Sequence, residues 1–176
     1  GPNVIGVYDP YSGVDTIFNI GYRQARPPKG EIAFISQSGA LAATLMDWLA
    51  EEGIGLSKFI SIGNRVDVDE SDLIDYLTYD NKTKVITLYL EGVKNGPRFY
   101  EKLKEVTKIK PVIVLKAGKT SAGEKAARSH TGSLAGSSQV FSGMLKQAGA
   151  IEAKSIEELF DFAKAFMNPL PTGDKI

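Results

Sequence analysis

The strongest constraint on this 176-residue chain is a repeated change of period: short runs that are apolar at nearly every residue alternate with segments carrying apolar residues at helical spacing. Ile32 to Ile35 (IAFI) is the first run, after which Leu41, Leu45, Trp48 and Leu49 fall on one face of a helix over Ala40 to Glu52. Lys58 to Ile62 (KFISI) and Val85 to Leu90 (VITLYL) read as strands, and between them Asp72 to Tyr79 reads as a helix capped by Ser71. Pro97 to Lys108 is predicted as a helix with Phe99, Leu103 and Val106 inward, followed by a strand over Pro111 to Leu115 (PVIVL). A glycine-rich stretch comes next, then a helix near Ser137 to Ala148, a short strand at Ala150-Ile151 and a helix over Ile156 to Phe166. A strand apolar on both faces must be covered on both, and alternating helices supply that cover when the strands run parallel.

The expected fold is therefore α/β, a doubly wound, mostly parallel, flavodoxin-like sheet of about five strands. Its expected span is residues 31–167. Residues 1–30, rich in glycine, proline and turn formers, read as a lead-in segment from a preceding domain, and residues 168–176 (NPLPTGDKI) as a tail or linker. Ligands in such sheets bind beyond the carboxyl ends of the strands, which directs the search to the loops after Ile35, Ile62, Leu90 and Leu115. Composition removes several function classes. Lysine plus arginine and aspartate plus glutamate both total 21, so no basic excess marks a nucleic-acid partner. With no cysteine and a single histidine, His130, disulfide scaffolds, thiol catalysis and Cys/His zinc sites are excluded, and no metal site is expected. No apolar run approaches the ~20 residues of a membrane span, so the expectation is no membrane partner and a cytoplasmic location.

Three glycine or acidic patterns fail on inspection. Ala117-Gly118-Lys119-Thr120 lacks the upstream glycine of a phosphate loop, since Ile113 stands there, and Gly53-Ile54-Gly55 is followed by Lys58 where a dinucleotide fingerprint needs glycine. Asp67, Asp69, Glu70 and Asp72 lack the central glycine and closing glutamate of a calcium loop and read instead as a solvated helix entry. Asn81-Lys82-Thr83 fits a glycosylation pattern that a cytoplasmic chain does not use. Ser36-Gln37-Ser38-Gly39-Ala40, by contrast, sits where the first strand becomes the first long helix. Its hydroxyls and the unpaired amides of the helix start form an anion site, while Ser38 read alone is an ordinary N-cap. His130 lies in a loop of glycines and hydroxyl residues, a setting for chemistry rather than core packing, although a lone histidine is also a common surface residue. No nucleophile elbow is present to make it part of a hydrolase triad. Nucleophilic catalysis by the imidazole remains, and an anion site at Ser38 makes phosphoryl the natural transferred group. Glu91, at the carboxyl end of VITLYL and just before Gly92, is a candidate to hold one histidine tautomer; otherwise it is a solvated strand end.

GEIAFISQSGALA, SIGNRVDVDESDL, LYLEGVKNG and ARSHTGSLAG, in this order, resemble the NDP-forming acyl-CoA synthetases of the succinyl-CoA synthetase superfamily, and the likeness runs from GPNVIG to the last helix. The resemblance implies the reaction acyl-CoA + ADP + phosphate ⇌ carboxylic acid + ATP + CoA. It implies that His130 is phosphorylated, that Glu91 orients it, that Ser36, Ser38 and Gly39 receive the phosphate, and that Ser129 and Thr131 add hydroxyl donors. It also implies partners: a CoA-binding Rossmann domain, an ATP-grasp domain or subunit, and an acyl-CoA or acyl phosphate substrate. CoA, ADP or ATP, Mg2+ and phosphate belong to the complete enzyme, and none is expected to be held by this chain alone, which should not turn over in isolation. The chain departs from the full pattern in lacking the Rossmann and ATP-grasp modules, and in having Val4 where a cysteine commonly follows GPN. Two alternatives stand beside this reading. One is a regulatory acyl-CoA-sensing domain of the protein-lysine acetyltransferase type, against which the retained His130 and Glu91 speak; the other is an FMN carrier, whose hydroxyl-rich first loop SQSGAL does not reproduce.

Overall fold

Successive residues of the apolar runs face opposite helical layers, and that alternation organises the molecule. A computed structural model describes residues 2–19, 24–118 and 138–168. Its strands are β1 (Val7–Asp9), β2 (Val14–Asp15), β3 (Lys29–Ser36), β4 (Leu56–Ser61), β5 (Val85–Leu90), β6 (Val112–Lys116) and β7 (Ile151–Ala153). The described helices are α1 (Gly39–Glu51), α2 (Glu70–Tyr79), α3 (Gly96–Val106), α4 (Ser138–Gln147) and α5 (Ile156–Met167). On one face, Ile32, Phe34, Phe59, Ile113 and Leu115 pack against Leu45, Met46 and Leu49 of α1 and Leu159, Phe160 and Ala163 of α5. On the other, Ala33, Ile35, Ile86, Leu88 and Val114 pack against Ile74, Leu77, Phe99, Leu103 and Leu145 of α2, α3 and α4. Phe160 centres the first layer, edge-on to Phe34 at 5.4 Å and to Trp48 at 5.7 Å between ring centroids. No described helix is long and apolar enough to cross a membrane.

The sheet order is β2-β1-β4-β3-β5-β6-β7. The parallel part, β4-β3-β5-β6-β7, contains the strands expected from the apolar runs. The sheet nevertheless has seven strands rather than about five, because residues 1–30 contribute a hairpin: β1 pairs antiparallel with β2 and with β4. These short strands carry no apolar run of their own. Their pairing depends on the exposed edge that β4 offers, a tertiary circumstance invisible in a local window.

Two further expectations are corrected at the start of α2. Its N-cap is Asp69, not Ser71: Asp69 accepts from the Ser71 and Asp72 amides at 2.8 and 3.3 Å, and Asp72 returns a bond to the Asp69 amide at 2.9 Å. This reciprocal arrangement satisfies two orphan donors at once and outcompetes a serine placed two residues too late. Nor is the acidic stretch a solvated helix entry, since Asp69 and Glu70 are buried and only Asp67 is fully exposed.

Candidate functional site

In the parallel sheet, the chain leaves β3 toward β4 on one side and returns to β5 on the other, so the carboxyl ends of β3 and β5 diverge and leave a crevice. Gln37 bridges that divide. Its amide donates to the Tyr89 carbonyl at 3.0 Å, and its side-chain Oε1 accepts from the Glu91 and Gly92 amides at 2.8 and 3.2 Å. Below it, the fully buried Ser36 donates its hydroxyl to the Ser38 carbonyl at 2.8 Å. Ser38 is the N-cap of α1, its Oγ accepting weakly from the Leu41 amide at 3.4 Å. Gly39 and Ala40 then open the helix, where backbone N–H groups have no intrahelical acceptor.

A cavity of about 630 Å³ lies over these carboxyl ends. One wall is Gln37 through Ala40, and Glu91 adds a carboxylate to which no described residue donates a hydrogen bond. The phenol of Tyr89, next but one in the chain, is pushed above its ordinary pKa by burial first and by the Glu91 carboxylate second. A second wall is Gly63, Asn64 and Arg65 from the loop after β4. Arg65 has a left-handed backbone at φ 53°, and its Nη1 donates to the Gly92 carbonyl at 2.8 Å and to Glu70 Oε2 at 3.1 Å. Glu70, wholly buried, accepts through its other oxygen from the Lys94 amide at 2.7 Å, and Lys94 Nζ donates back to the Arg65 carbonyl at 2.9 Å. The turn Glu91–Lys94 is thus gripped by Gln37 just after β3 and by the pair of Arg65, from the loop after β4, and Glu70, at the start of α2.

The third wall comes from residues 1–30: Asn3, Val4, Ile5 and Phe18. This segment is tied down by the Ile5 amide donating to Ser61 Oγ at 3.2 Å, the Asn64 amide to the Pro2 carbonyl at 3.2 Å, and Asn3 Nδ2 to Asn64 Oδ1 at 3.1 Å. Gly63 makes the approach possible: at φ 48°, a Cβ there would stand 2.4 Å from the Asn3 carbonyl oxygen. Ile5 reaches the first turn of α1, since a Cβ on Gly39 would lie 2.9 Å from its Cγ2.

Of the residues singled out from sequence, Ser38, Gly39 and Glu91 line one cavity, and Ser36 supports it from beneath. His130, Ser129 and Thr131 lie outside the described residues. Gln37, Arg65, Glu70 and the lead-in wall were not anticipated. Gln37 stood between two flagged serines, but nothing local distinguishes a glutamine that reaches across a sheet from one that faces solvent.

The comparison with known proteins defines the class. The model of the succinyl-CoA ligase like flavodoxin domain matches residues 29–166, and the chain belongs to that family. It is 47% identical over 176 residues to the alpha subunit of acetate–CoA ligase (ADP-forming) II of Pyrococcus furiosus, an alignment covering 100% of this chain and 37% of that one. It is 43% identical over 180 residues to the 4-hydroxybutyrate–CoA ligase (ADP-forming) of Nitrosopumilus maritimus, covering 100% of this chain and 26% of that protein. Among solved structures, the dinucleotide forming acetyl-coenzyme A synthetase 1 of Ca. Korarchaeum cryptofilum, in complex with phosphate and ADP, superposes with a TM-score of 0.91 at 42% identity. That superposition covers 99% of this chain and 38% of the other. The chain therefore spans well under half the length of the relatives it matches.

Proposed function

We propose that this chain is the phosphohistidine-bearing ligase domain of an ADP-forming acyl-CoA synthetase. Phosphate attacks the thioester carbonyl of acyl-CoA, the C–S bond breaks, and CoA leaves as the acyl phosphate forms. A ring nitrogen of His130 then attacks phosphorus; the P–O bond to the acyl group breaks and the carboxylate departs. ADP finally takes the phosphoryl group from the histidine to give ATP. Glu91 accepts a hydrogen bond from the other ring N–H of His130, which holds the attacking nitrogen unprotonated and stabilises the positive charge that develops as phosphorus bonds to it. The amides of Gly39 and Ala40 and the dipole of α1 hold the phosphate, Ser38 shapes that turn, Ser36 braces it, and Ser129 and Thr131 donate hydroxyls. The partners are a CoA-binding Rossmann domain and an ATP-grasp domain or subunit, which carries ADP with its Mg2+.

The observation that supports this reading most is Glu91: a carboxylate without a described hydrogen-bond donor, fixed by its own backbone to Gln37, in the same cavity as the N-terminus of α1. The test is intact mass after mixing the chain with an ATP-grasp partner and Mg-ATP at neutral to alkaline pH. An acid-labile phosphoryl adduct on the wild type, lost in His130→Ala and diminished in Glu91→Gln, is expected. No adduct, with a partner active on a complete synthetase, would transfer the assignment to the acyl-CoA-sensing class.

A further inference from the structure

Across the cavity from the first turn of α1 stands a guanidinium with donors to spare. Arg65 lines that wall, and its side chain is nine-tenths buried. Nη1 is engaged, donating to the Gly92 carbonyl at 2.8 Å and to Glu70 Oε2 at 3.1 Å. Nε is buried with no hydrogen-bond partner, and Nη2 has none among the described residues. The Nε–H and the adjacent Nη2–H lie parallel on one edge of the guanidinium plane, the fork that fits two oxygens of an oxyanion. A buried donor without an acceptor is costly, and native structures keep such a group where something beyond the chain completes it. Gly92 joins this fork to α1: its carbonyl receives Arg65 and its amide bonds Gln37 Oε1 at 3.2 Å, and Gln37 leads through Ser38 into the helix.

We propose that Arg65 is a ligand of inorganic phosphate, its Nε–Nη2 fork closing on the oxygens that face away from the α1 amides. The proposal rests on the phosphoryl-transfer reading, which sets phosphate at α1. Arg65 and Glu91 are the only charged side chains among the described lining residues. A phosphate dianion at α1 meets the Glu91 carboxylate as a like charge, and the helix end offers it only about half an elementary charge. Arg65 supplies the cation that lets phosphate and Glu91 occupy one cavity. Glu70, wholly buried and outside the lining, holds Nη1 from behind, so the pair anchors the guanidinium and leaves its fork edge uncommitted. A turn of the guanidinium about its Nη1 contacts brings both N–H groups to the oxyanion, and Nε gains the acceptor that the chain does not give it.

The test uses the complete synthetase containing this domain, run from acyl-CoA, ADP and phosphate toward ATP, with calorimetric binding of inorganic phosphate alone in parallel. Arg65→Met is expected to raise both the KM and the Kd of phosphate about 10- to 100-fold, the scale of one or two charge-assisted hydrogen bonds. The KM values of acyl-CoA and ADP stay within about twofold, a split that a merely structural defect, which lowers kcat or shifts every substrate, does not produce. Arg65→Lys keeps the charge and loses the fork, so its phosphate constants fall between those of Arg65→Met and the wild type. Should the methionine variant not fold, Arg65→Lys decides alone: a phosphate Kd raised about threefold or more supports the proposal, and an unchanged one overturns it. Phosphate constants at the wild-type level in Arg65→Met overturn it, as does a shift confined to the carboxylic acid in the reverse direction. The histidine adduct on the wild-type enzyme separates the two claims. An adduct with unmoved phosphate constants rejects Arg65 and leaves phosphoryl transfer standing. Weakened phosphate binding without a wild-type adduct rejects phosphoryl transfer and keeps Arg65 as the phosphate ligand.

Discussion

Gln37 uses one carboxamide oxygen to satisfy two backbone donors in the turn after β5, 54 and 55 residues away, and in doing so it aims Glu91. Removing one partner of a buried hydrogen bond leaves the other unsatisfied, at about 1–3 kcal/mol for each group. Gln37→Ala is accordingly expected to lower stability by about 2 kcal/mol in urea unfolding. Under the proposed function it should also slow phosphorylation of His130 about 100-fold, the scale for a misplacement of about an ångström. A variant that loses stability but phosphorylates at the wild-type rate would remove Gln37 from the site. Glu91→Gln keeps shape and loses charge, so it offers a cleaner electrostatic reading. Burial raises the Tyr89 phenol and the Glu91 carboxylate raises it further, so the variant should bring the Tyr89 pKa part of the way back toward 10.0, observable by tyrosine ring-carbon NMR. At this scale the sequence exposed chemistry but not geometry. Glu91 was legible because it ends an apolar strand and precedes glycine, whereas Gln37, Arg65 and Glu70 act only through partners far along the chain.

The elements that frame the cavity are held by caps and turns more than by propensity. The Asp69–Asp72 box starts α2 at the residue that also positions Glu70, and Asp69→Ala should cost about 1 kcal/mol, with Asp69→Asn recovering part of it. Arg98 of α3 pairs with both Asp69 and Asp72 and holds the Asp72 carboxyl below its ordinary value, so the cap also joins α3 to α2. At the other wall, Gly63→Ala forces a Cβ against the Asn3 carbonyl at a positive φ. The expected result is a loss of about 1–3 kcal/mol. Faster hydrogen exchange at the Ile5 and Phe18 amides should accompany it while β5 and β6 stay protected; unchanged exchange at Ile5 would mean that the lead-in is held by other contacts. Helix positions are readable because apolar residues repeat along one face, but the sequence points to Ser71 rather than Asp69 as the cap, since a capping residue is recognised only when the true first turn is known. The hairpin of β1 and β2 was unreadable because short strands at a sheet edge take their stability from the neighbour and not from their own pattern.

For the molecule as a whole, one ionic cluster around the buried Lys58 fastens the lead-in hairpin to the parallel sheet. Lys58 of β4 pairs with Asp9 of β1 at 3.2 Å and with Asp80 after α2 at 3.1 Å. Burial pulls Lys58 down, but the two carboxylates outweigh it and hold the ammonium above 10.5. Burial likewise pushes Asp9 and Asp80 up, and their hydrogen bonds, from Ser12 and Tyr11 to Asp9, from Thr83 to Asp80 and from Lys58 to both, hold them below 3.8. The carboxylates therefore contribute stability that is fully present above the ordinary carboxylate range and lost as pH falls through their lowered values. The Lys58 contribution is present below 10.5 and lost as pH rises through its raised value. Thermal unfolding should show a plateau between these limits. Lys58→Met, which leaves two half-buried carboxylates without their shared cation, should lower stability by about 1–3 kcal/mol at neutral pH and flatten the acid limb. A melting profile with the same pH dependence as wild type would remove the cluster from the stability of the fold. The sequence by itself determined the layered α/β architecture, doubly wound and mostly parallel. Burial on both faces leaves a mark on every residue of a strand, and the right-handed crossover then allows few arrangements. Only the tertiary structure decided that residues 1–30 form a wall of the cavity and that Gln37 and Arg65 hold the Glu91 turn. These are single contacts between segments tens of residues apart, and one hydrogen bond or one apolar side chain leaves no periodic trace in a sequence.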